Sequence, residues 1–343
     1  MYDTLFPTSL VGSYPQPDWL IDREKLRSKG PPRVRDASLW KMAEADLAEA
    51  QDAATRLAIL DQEEIGLDIV TDGEVRRESY SNHLATSLDG LDLENPGTKT
   101  GRSGRPMVVP RVVGPIQRRE PVMEREAAFL RKHTKRLTKM TLPGPFTMTM
   151  QALNEHYENE AALAMAYAEM LREEIADIFA AGVDIVQLDE PYMQAEPEAA
   201  RAFAIPAINH ALQGAAGRTV IHMCFGYAYI MDQAKPQGYS FLSELEECTA
   251  DELSIEVAQP GLDLSLIEGM KKGFLIGALD LGRETPETPE EVRDRLVAAA
   301  ERIPAANIVA APDCGMKYLP IDLTQAKLAA LVEGSAMARA LSR

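Results

Sequence analysis

Short runs rich in β-forming residues alternate with longer helical patterns along nearly the whole chain, and that rhythm restricts it to a parallel sheet built from βα units. The candidate strands are 8–13, 68–71, 139–142, 184–188, 219–223, 253–257, 274–279 and 308–311. Between them, 161–181 carries Leu163, Tyr167, Met170, Leu171, Ile175, Ile178 and Phe179 at helical spacing and stops at Gly182. A second helix, 289–302, opens with Thr288 as cap and Pro289 at the first helical position. Neither pattern suits a half-buried strand. Eight such units are more economically one (β/α)8 barrel, a TIM barrel of class α/β spanning 1–343, than a doubly wound sheet. The Gly-, Pro-, Thr- and Arg-rich stretch 90–121 fits no βα unit and is expected to be an inserted hairpin or arm after the second strand. Residues 1–40 are expected to form an extended entry, because Pro15, Pro17, Pro31 and Pro32 interrupt any long helix.

Hydrophobic residues make up 45% of the chain, enough for the core of such a barrel. Three cysteines are too few for a disulfide framework, and the sequence opens without an apolar signal segment, so a reduced, cytoplasmic setting is expected. No apolar run approaches the ~20 residues needed to span a bilayer. A net charge of −17 argues against general binding to nucleic acid or to an anionic membrane, both of which reward clustered positive charge. The charge is uneven: from Lys99 to Lys139, twelve Lys and Arg stand against Glu120, Glu124 and Glu126. That segment reads as a solvated basic face with an intramolecular or subunit-packing role, the alternative being an anion or partner surface. Composition does not decide oligomeric state, and a homo-oligomer is compatible with it.

In a barrel of this type, function gathers where strands end and βα loops begin. Gly12-Ser13 ends the first strand, Asp72-Gly73-Glu74 the second, Gly144-Pro145 the third and Asp189-Glu190-Pro191 the fourth. His222-Met223-Cys224 ends the fifth, Glu256 the sixth, Asp280 the seventh and Asp313-Cys314-Gly315 the eighth. Any one acid is accounted for by a helix cap or a loop bond. The joint pattern, with all eight loops opening at one face, points to a shared cavity. His222 and Cys224, two apart on a strand, project to the same side. With Cys314 and Glu256 they make two thiolates, an imidazole and a carboxylate, donors that zinc takes at tetrahedral positions. A His-x-Cys pair alone is weak evidence, since buried cysteine beside a satisfied histidine is common. Cys248, on an expected helix, fits that inert case. His83, His133, His156 and His210 fall on expected helices or their edges, and of these only His83 follows a strand end closely enough to border the cavity.

A zinc in such a set has a formal local charge of about −1. Thiolate donors make it too electron-rich to generate hydroxide from water, the hydrolytic task. The same ion suits binding a thiol, lowering its pKa and keeping it nucleophilic. Donors spread over three strands, one of them a displaceable carboxylate, favour catalysis over a structural clip.

Val11-Gly12-Ser13-Tyr14-Pro15, Asp72-Gly73-Glu74, Gly144-Pro145-Phe146-Thr147-Met148, Gln187-Leu188-Asp189-Glu190-Pro191, His222-Met223-Cys224, Ser254-Ile255-Glu256 and Pro312-Asp313-Cys314-Gly315-Met316-Lys317 form a specific combination. Together they resemble the cobalamin-independent methionine synthase family, in its catalytic C-terminal barrel, over nearly the whole chain. The resemblance implies a methyltransferase whose zinc is held by His222, Cys224, Glu256 and Cys314, with homocysteine as the thiol. Ser13 would offer its backbone to the amino-acid carboxylate, while Glu74 and Asp189 would hold the ammonium group. The methyl donor would be methyl-tetrahydrofolate or a methyl-corrinoid, the latter on a corrinoid protein.

Two departures bear on the donor. Folate-using members carry a His two residues after the seventh-strand Asp, where this chain reads Asp280-Leu281-Gly282, so the proton donor has no assigned residue. The tryptophan they place after Gly-Pro-x-Thr for stacking on the pterin is missing from Met148-Thr149-Met150-Gln151. A folate methyl leaves only after protonation at its nitrogen. The alternatives are a zinc alkyltransferase of the epoxide:coenzyme M type and a non-catalytic zinc thiol-binding subunit. A metal-free decarboxylase barrel would leave His222, Cys224 and Cys314 unexplained.

Overall fold

The computed structural model describes residues 2–101, 104, 106–227, 235–236 and 238–342. Its strands, in chain order, are β1 (Ile69–Thr71), β2 (Asp89–Thr100), β3 (Pro106–Gln117), β4 (Leu137–Pro143), β5 (Leu153–Asn154), β6 (Ile185–Asp189), β7 (Arg218–Met223), β8 (Glu252–Ile255), β9 (Gly273–Leu279) and β10 (Ile308–Pro312). Seven of them form one parallel sheet in the order β1-β4-β6-β7-β8-β9-β10. Its two edges meet across the entry segment: Ser9 bridges Ile69 of β1, and Thr8 bridges Ala310 of β10, both in parallel. The βα units expected along the chain therefore close into a barrel, with residues 8 and 9 as the eighth stave.

That stave is shorter than the expected 8–13, and the hydrogen bonds explain why. Past Ser9 the backbone carbonyls are taken by side chains. Leu10 O accepts from Lys139 Nζ and Ser9 Oγ, and Gly12 O accepts from Thr71 Oγ1 at 2.8 Å. With its acceptors satisfied this way, the segment needs no ladder.

Helix ends follow the capping chemistry of the sequence. Helix Glu160–Ala180 begins where the Asn159 side chain accepts from Ala162 N, and the chain leaves it through Gly182 at φ 94°. Helix Pro289–Ala300 begins with a reciprocal capping box between Thr288 and Glu291. No helix among the described residues is long and apolar enough to cross a membrane.

Inside the sheet, the period of two along each strand divides the side chains. Val11, Ile69, Ile185, Val220, Leu275, Val309 and Ala311 form a small cluster within the barrel. The residues one step on, Val70, Val186, Ile221, Ile276 and Ala310, belong to the larger core. By the same parity Gln187 and Asp189 of β6, His222 of β7 and Ser254 of β8 point inward, and they climb toward the carboxyl ends of the strands.

The 90–121 stretch is the β2–β3 antiparallel hairpin, with β5 added parallel to β3. Most of the described basic residues between Lys99 and Lys139 are spent within the molecule. Arg111 pairs with Glu155 at 3.0 Å, Arg119 with Asp89, Arg125 with Asp52 at 2.9 Å and Arg131 with Asp184 at 3.0 Å. Arg118 meets fully buried Glu174 at 2.9 Å, and the same carboxylate accepts from Val122 N and Met123 N, which pins the return of the arm to helix Glu160–Ala180. These described residues of the basic segment therefore pack against the molecule's own acids.

Candidate active site

At the carboxyl end of the barrel His222 (β7), Cys224 just beyond it and Cys314 just beyond β10 are all buried, and one ligand atom from each lies within 4.8 Å of the others. Among the described residues this is the one group of three or more His, Cys, Asp or Glu side chains that meets so closely. Ser254 of β8 stands 2.9 Å from His222 Nδ1. In the tautomer with the proton on Nδ1 and donated to Ser254, the lone pair of Nε2 is left over, and Nε2 is buried with no hydrogen-bond partner. Burial presses the imidazole pKa down, but nearby Cys224, Asp189 and Glu256 raise it on balance. The Cys314 thiol is pushed well up by its hydrogen bond with Cys224 and by burial. Two buried thiols this close resist joint ionisation unless a cation sits between them. The donor chemistry and the orphaned nitrogen therefore fit a thiophilic metal ion.

Glu256 stands beside this group but not in it. Its Oε1 accepts from Phe225 N at 2.8 Å, and its Oε2 is ion-paired with Lys235 Nζ. Burial pushes the Glu256 carboxyl up to about 8 against the pull of Lys235. Three of the four expected donors are thus brought together, and the fourth is held by a lysine.

Opposite the cluster, Glu74 sits at φ 53°, in the left-handed region, which costs a β-carbon-bearing residue about 1 kcal/mol or more. Its Oε1 accepts from Thr141 Oγ1 at 3.0 Å, while Oε2 is buried without a partner. The neighbouring Gly12 makes room, since a Cβ there would lie 2.6 Å from Glu74 Oε1. The turn is braced by Arg77, which reaches both oxygens of Asp72 at 3.1 and 3.2 Å, and by Lys317 Nζ on Arg77 O at 2.7 Å. Asp189 accepts from Gln187 Nε2 at 2.7 Å. Burial pushes its carboxyl up to about 7, with His222 opposing and Glu74 adding to the rise. Ser13 O accepts from Met316 N at 3.0 Å, and a Cβ at Gly315 would lie 2.3 Å from Ser13 Oγ. Ser13, Glu74, Asp189, His222, Cys224 and Cys314 line one cavity.

His83, on the short helix Asn82–Ala85, is not among the lining residues; its Nδ1 lies 3.3 Å from Arg35 Nη1. Cys248 caps a 3-10 turn, Ser243–Glu247, instead of lying on a helix, and burial pushes its thiol up, as suits an inert residue. Gly282 N donates to Asp280 Oδ1 at 2.8 Å, and a Cβ at 282 would lie 2.5 Å from Gln259 Nε2, so Gln259 fills the space beside it. Gln151 accepts from Ser81 Oγ at 2.9 Å and donates to the Tyr80 hydroxyl. Three residues escaped the sequence reading: Lys235, and the cavity-lining Arg33 and Tyr227. All come from loops, where no periodicity announces a direction.

Fold and cluster define a β/α-barrel enzyme with a site able to hold a thiophilic metal. The model of the cobalamin-independent synthase catalytic domain matches residues 6–337, and the chain belongs to that family. A methionine synthase from Saccharolobus solfataricus is 30% identical over 345 residues, covering 98% of this chain and 95% of that protein. One from Sulfurisphaera tokodaii is 29% identical over 343 residues, covering 98% and 93%. Among solved structures, a B12-independent methionine synthase from Shewanella sp. W3-18-1, in complex with selenomethionine, superposes with a TM-score of 0.87 at 32% identity over 99% of each chain. A methyltransferase from Methanosarcina mazei shares the fold, with a TM-score of 0.62 at 16% identity over 97% of this chain and 95% of that one.

Proposed function

We propose that the chain is a zinc-dependent methyltransferase, one catalytic barrel over 1–343, that places a methyl group on the sulfur of homocysteine to form methionine. The observation that carries this reading is the open donor set, in which His222, with Nε2 unpartnered, meets Cys224 and Cys314 at a cavity where Glu74 Oε2 also lacks a partner. A zinc ion bound there would hold the incoming thiol as a nucleophilic thiolate. Ser254 keeps His222 in the ligating tautomer, and Glu256 completes the set once Lys235 releases it. Glu74 and Asp189 take the α-ammonium group, whose charge also relieves the repulsion between the two carboxylates. The Ser13 backbone faces the α-carboxylate. As the new S–CH3 bond forms, the bond from methyl to donor breaks, and the donor leaves with the electron pair. The names of the relatives support this reading, and the Shewanella protein was solved with selenomethionine, an amino acid shaped like the product.

The donor is methyl-tetrahydrofolate or a methyl-corrinoid presented by a corrinoid protein. With Gly282 backed by Gln259, no imidazole stands there to protonate a leaving nitrogen, so the two donors make different demands on this chain. The buried, unoxidised thiols suit a cytoplasmic setting. The test is methionine formation by the purified, zinc-loaded chain from homocysteine and each donor in turn, with metal content measured alongside. Near-stoichiometric zinc and product with at least one donor are expected. No product from either donor would overturn the reading.

A further inference from the structure

The cavity holds a cation that the metal cluster and the acidic pair leave unused. Arg33 is 7% exposed and lines the cavity together with Glu74, Asp189, His222, Cys224 and Cys314. Its guanidinium rests on neutral groups. Nε points to Met107 Sδ at 3.5 Å, Cζ lies 5.1 Å from the Tyr80 ring centroid, and Nη1 is buried with no hydrogen-bond partner. Among the described residues no carboxylate pairs with it. The neighbouring buried arginines do have a counter-charge: Arg77 Nη2 reaches both oxygens of Asp72, and Arg76 is ion-paired with Asp52. A buried guanidinium without a counter-charge is a standing cost to the fold, and its planar fork matches a carboxylate. Among the described lining residues Arg33 is the one Arg or Lys, and neither Glu74 nor Asp189 comes within ion-pair distance of it.

We propose that Arg33 is the carboxylate-recognition residue of this cavity, completing with Glu74 and Asp189 a site complementary to an amino-acid zwitterion. The proposal rests on the homocysteine reading above. Glu74 and Asp189 attract an ammonium group, and an amino acid held there carries its carboxylate on the same carbon; Arg33 supplies the charge for it. Tyr80, fixed by Gln151, keeps the guanidinium in place from one face, while Met107 of the β2–β3 arm touches its edge. The arm thereby contributes to the site. Two sources present a carboxylate at this point: the α-carboxylate of the thiol substrate, and an acidic tail of the methyl donor.

Calorimetry on zinc-loaded protein, using L-homocysteine and its decarboxylated analogue, tests the proposal in the wild type, Arg33→Met and Arg33→Lys. The Met variant is expected to bind homocysteine about 10- to 100-fold more weakly. It should bind the analogue as the wild type does, and the Lys variant should fall between. If homocysteine binding is unchanged but the KM for the donor rises by a similar factor, the carboxylate that Arg33 takes is the donor's, and the zwitterion site is overturned. Homocysteine affinity and donor KM both within twofold of wild type would overturn it. A wild type that fails to bind homocysteine would overturn both this and the reading it rests on, whereas an unaffected variant of a binding wild type overturns this alone. Zinc content and thermal midpoint are the folding controls. An unpaired recognition arginine predicts a midpoint in Arg33→Met equal to or above wild type, and a structural arginine predicts a fall.

Discussion

Both ends of the barrel bury charged groups, and they settle them in opposite ways. At the amino end Glu252 accepts from the Tyr2 hydroxyl at 3.0 Å and from Arg218 Nη1 at 2.9 Å, Arg218 lies 4.4 Å over the Tyr2 ring, and Lys139 donates to Leu10 O. At the carboxyl end His222 Nε2, Glu74 Oε2 and Arg33 Nη1 are buried with nothing to bond. One strand serves both: Glu252 and Ser254 share the inward parity of β8 and Glu256 follows just past its end, the first closing the amino end and the last standing beside the metal cluster. The amino-end groups are satisfied by the chain, while these three at the cavity are left open to ligands.

If that contrast is right, substitutions at the carboxyl end should cost function more than stability. The largest loss is expected from Cys314→Ser, with zinc affinity down at least about 100-fold and methionine formation falling with it. Metal analysis after dialysis against a chelator checks this, and full zinc retention in that variant would break the assigned donor set. Glu74→Gln should come next. It keeps the shape but removes the charge that faces the ammonium group, so homocysteine binding should weaken by about 2 kcal/mol with zinc content unchanged, as read by calorimetry.

Much of this contrast is legible in the sequence, because strand parity carries it. His222 and Cys224 share a face for the same reason that Val220 lies inside the barrel, and seven of the eight expected strands appear within a residue or two of their places. The parts that were not legible are set by tertiary closure. Strand position turns Glu256 inward but does not say that Lys235 will reach it from a loop. The entry segment was expected to be a full strand, yet Lys139 and Thr71 take the carbonyls that a ladder would have used. Arg33 follows two prolines in an extended run, and only the folded chain shows that the run ends over the cavity.

Lys235→Met sharpens the carboxyl-end side of the comparison. Lys235 holds the carboxylate that would complete the donor set, so removing it should free Glu256 and raise zinc affinity by about tenfold, measured by chelator competition. A fall in affinity would show that Lys235 supports the metal site and does not compete for it.

Lys139→Met probes the closed end and should have the smallest effect on zinc and homocysteine binding. Burial pushes the Lys139 ammonium down to about 7, against the pull of Asp189 and Glu252. Because the folded pKa lies below the unfolded value near 10.4, the wild type loses stability as pH falls from above 10 toward 7, where charging the buried amine costs its full amount. The Met variant carries no such penalty. Its stability relative to wild type should therefore be greatest at pH 7 and shrink toward pH 10, by an amount on the order of a few kcal/mol, in parallel denaturant titrations. A difference independent of pH would mean that Leu10 O and the two acids keep the lysine charged, and that the closed end tolerates a paired ion as readily as the open end awaits one.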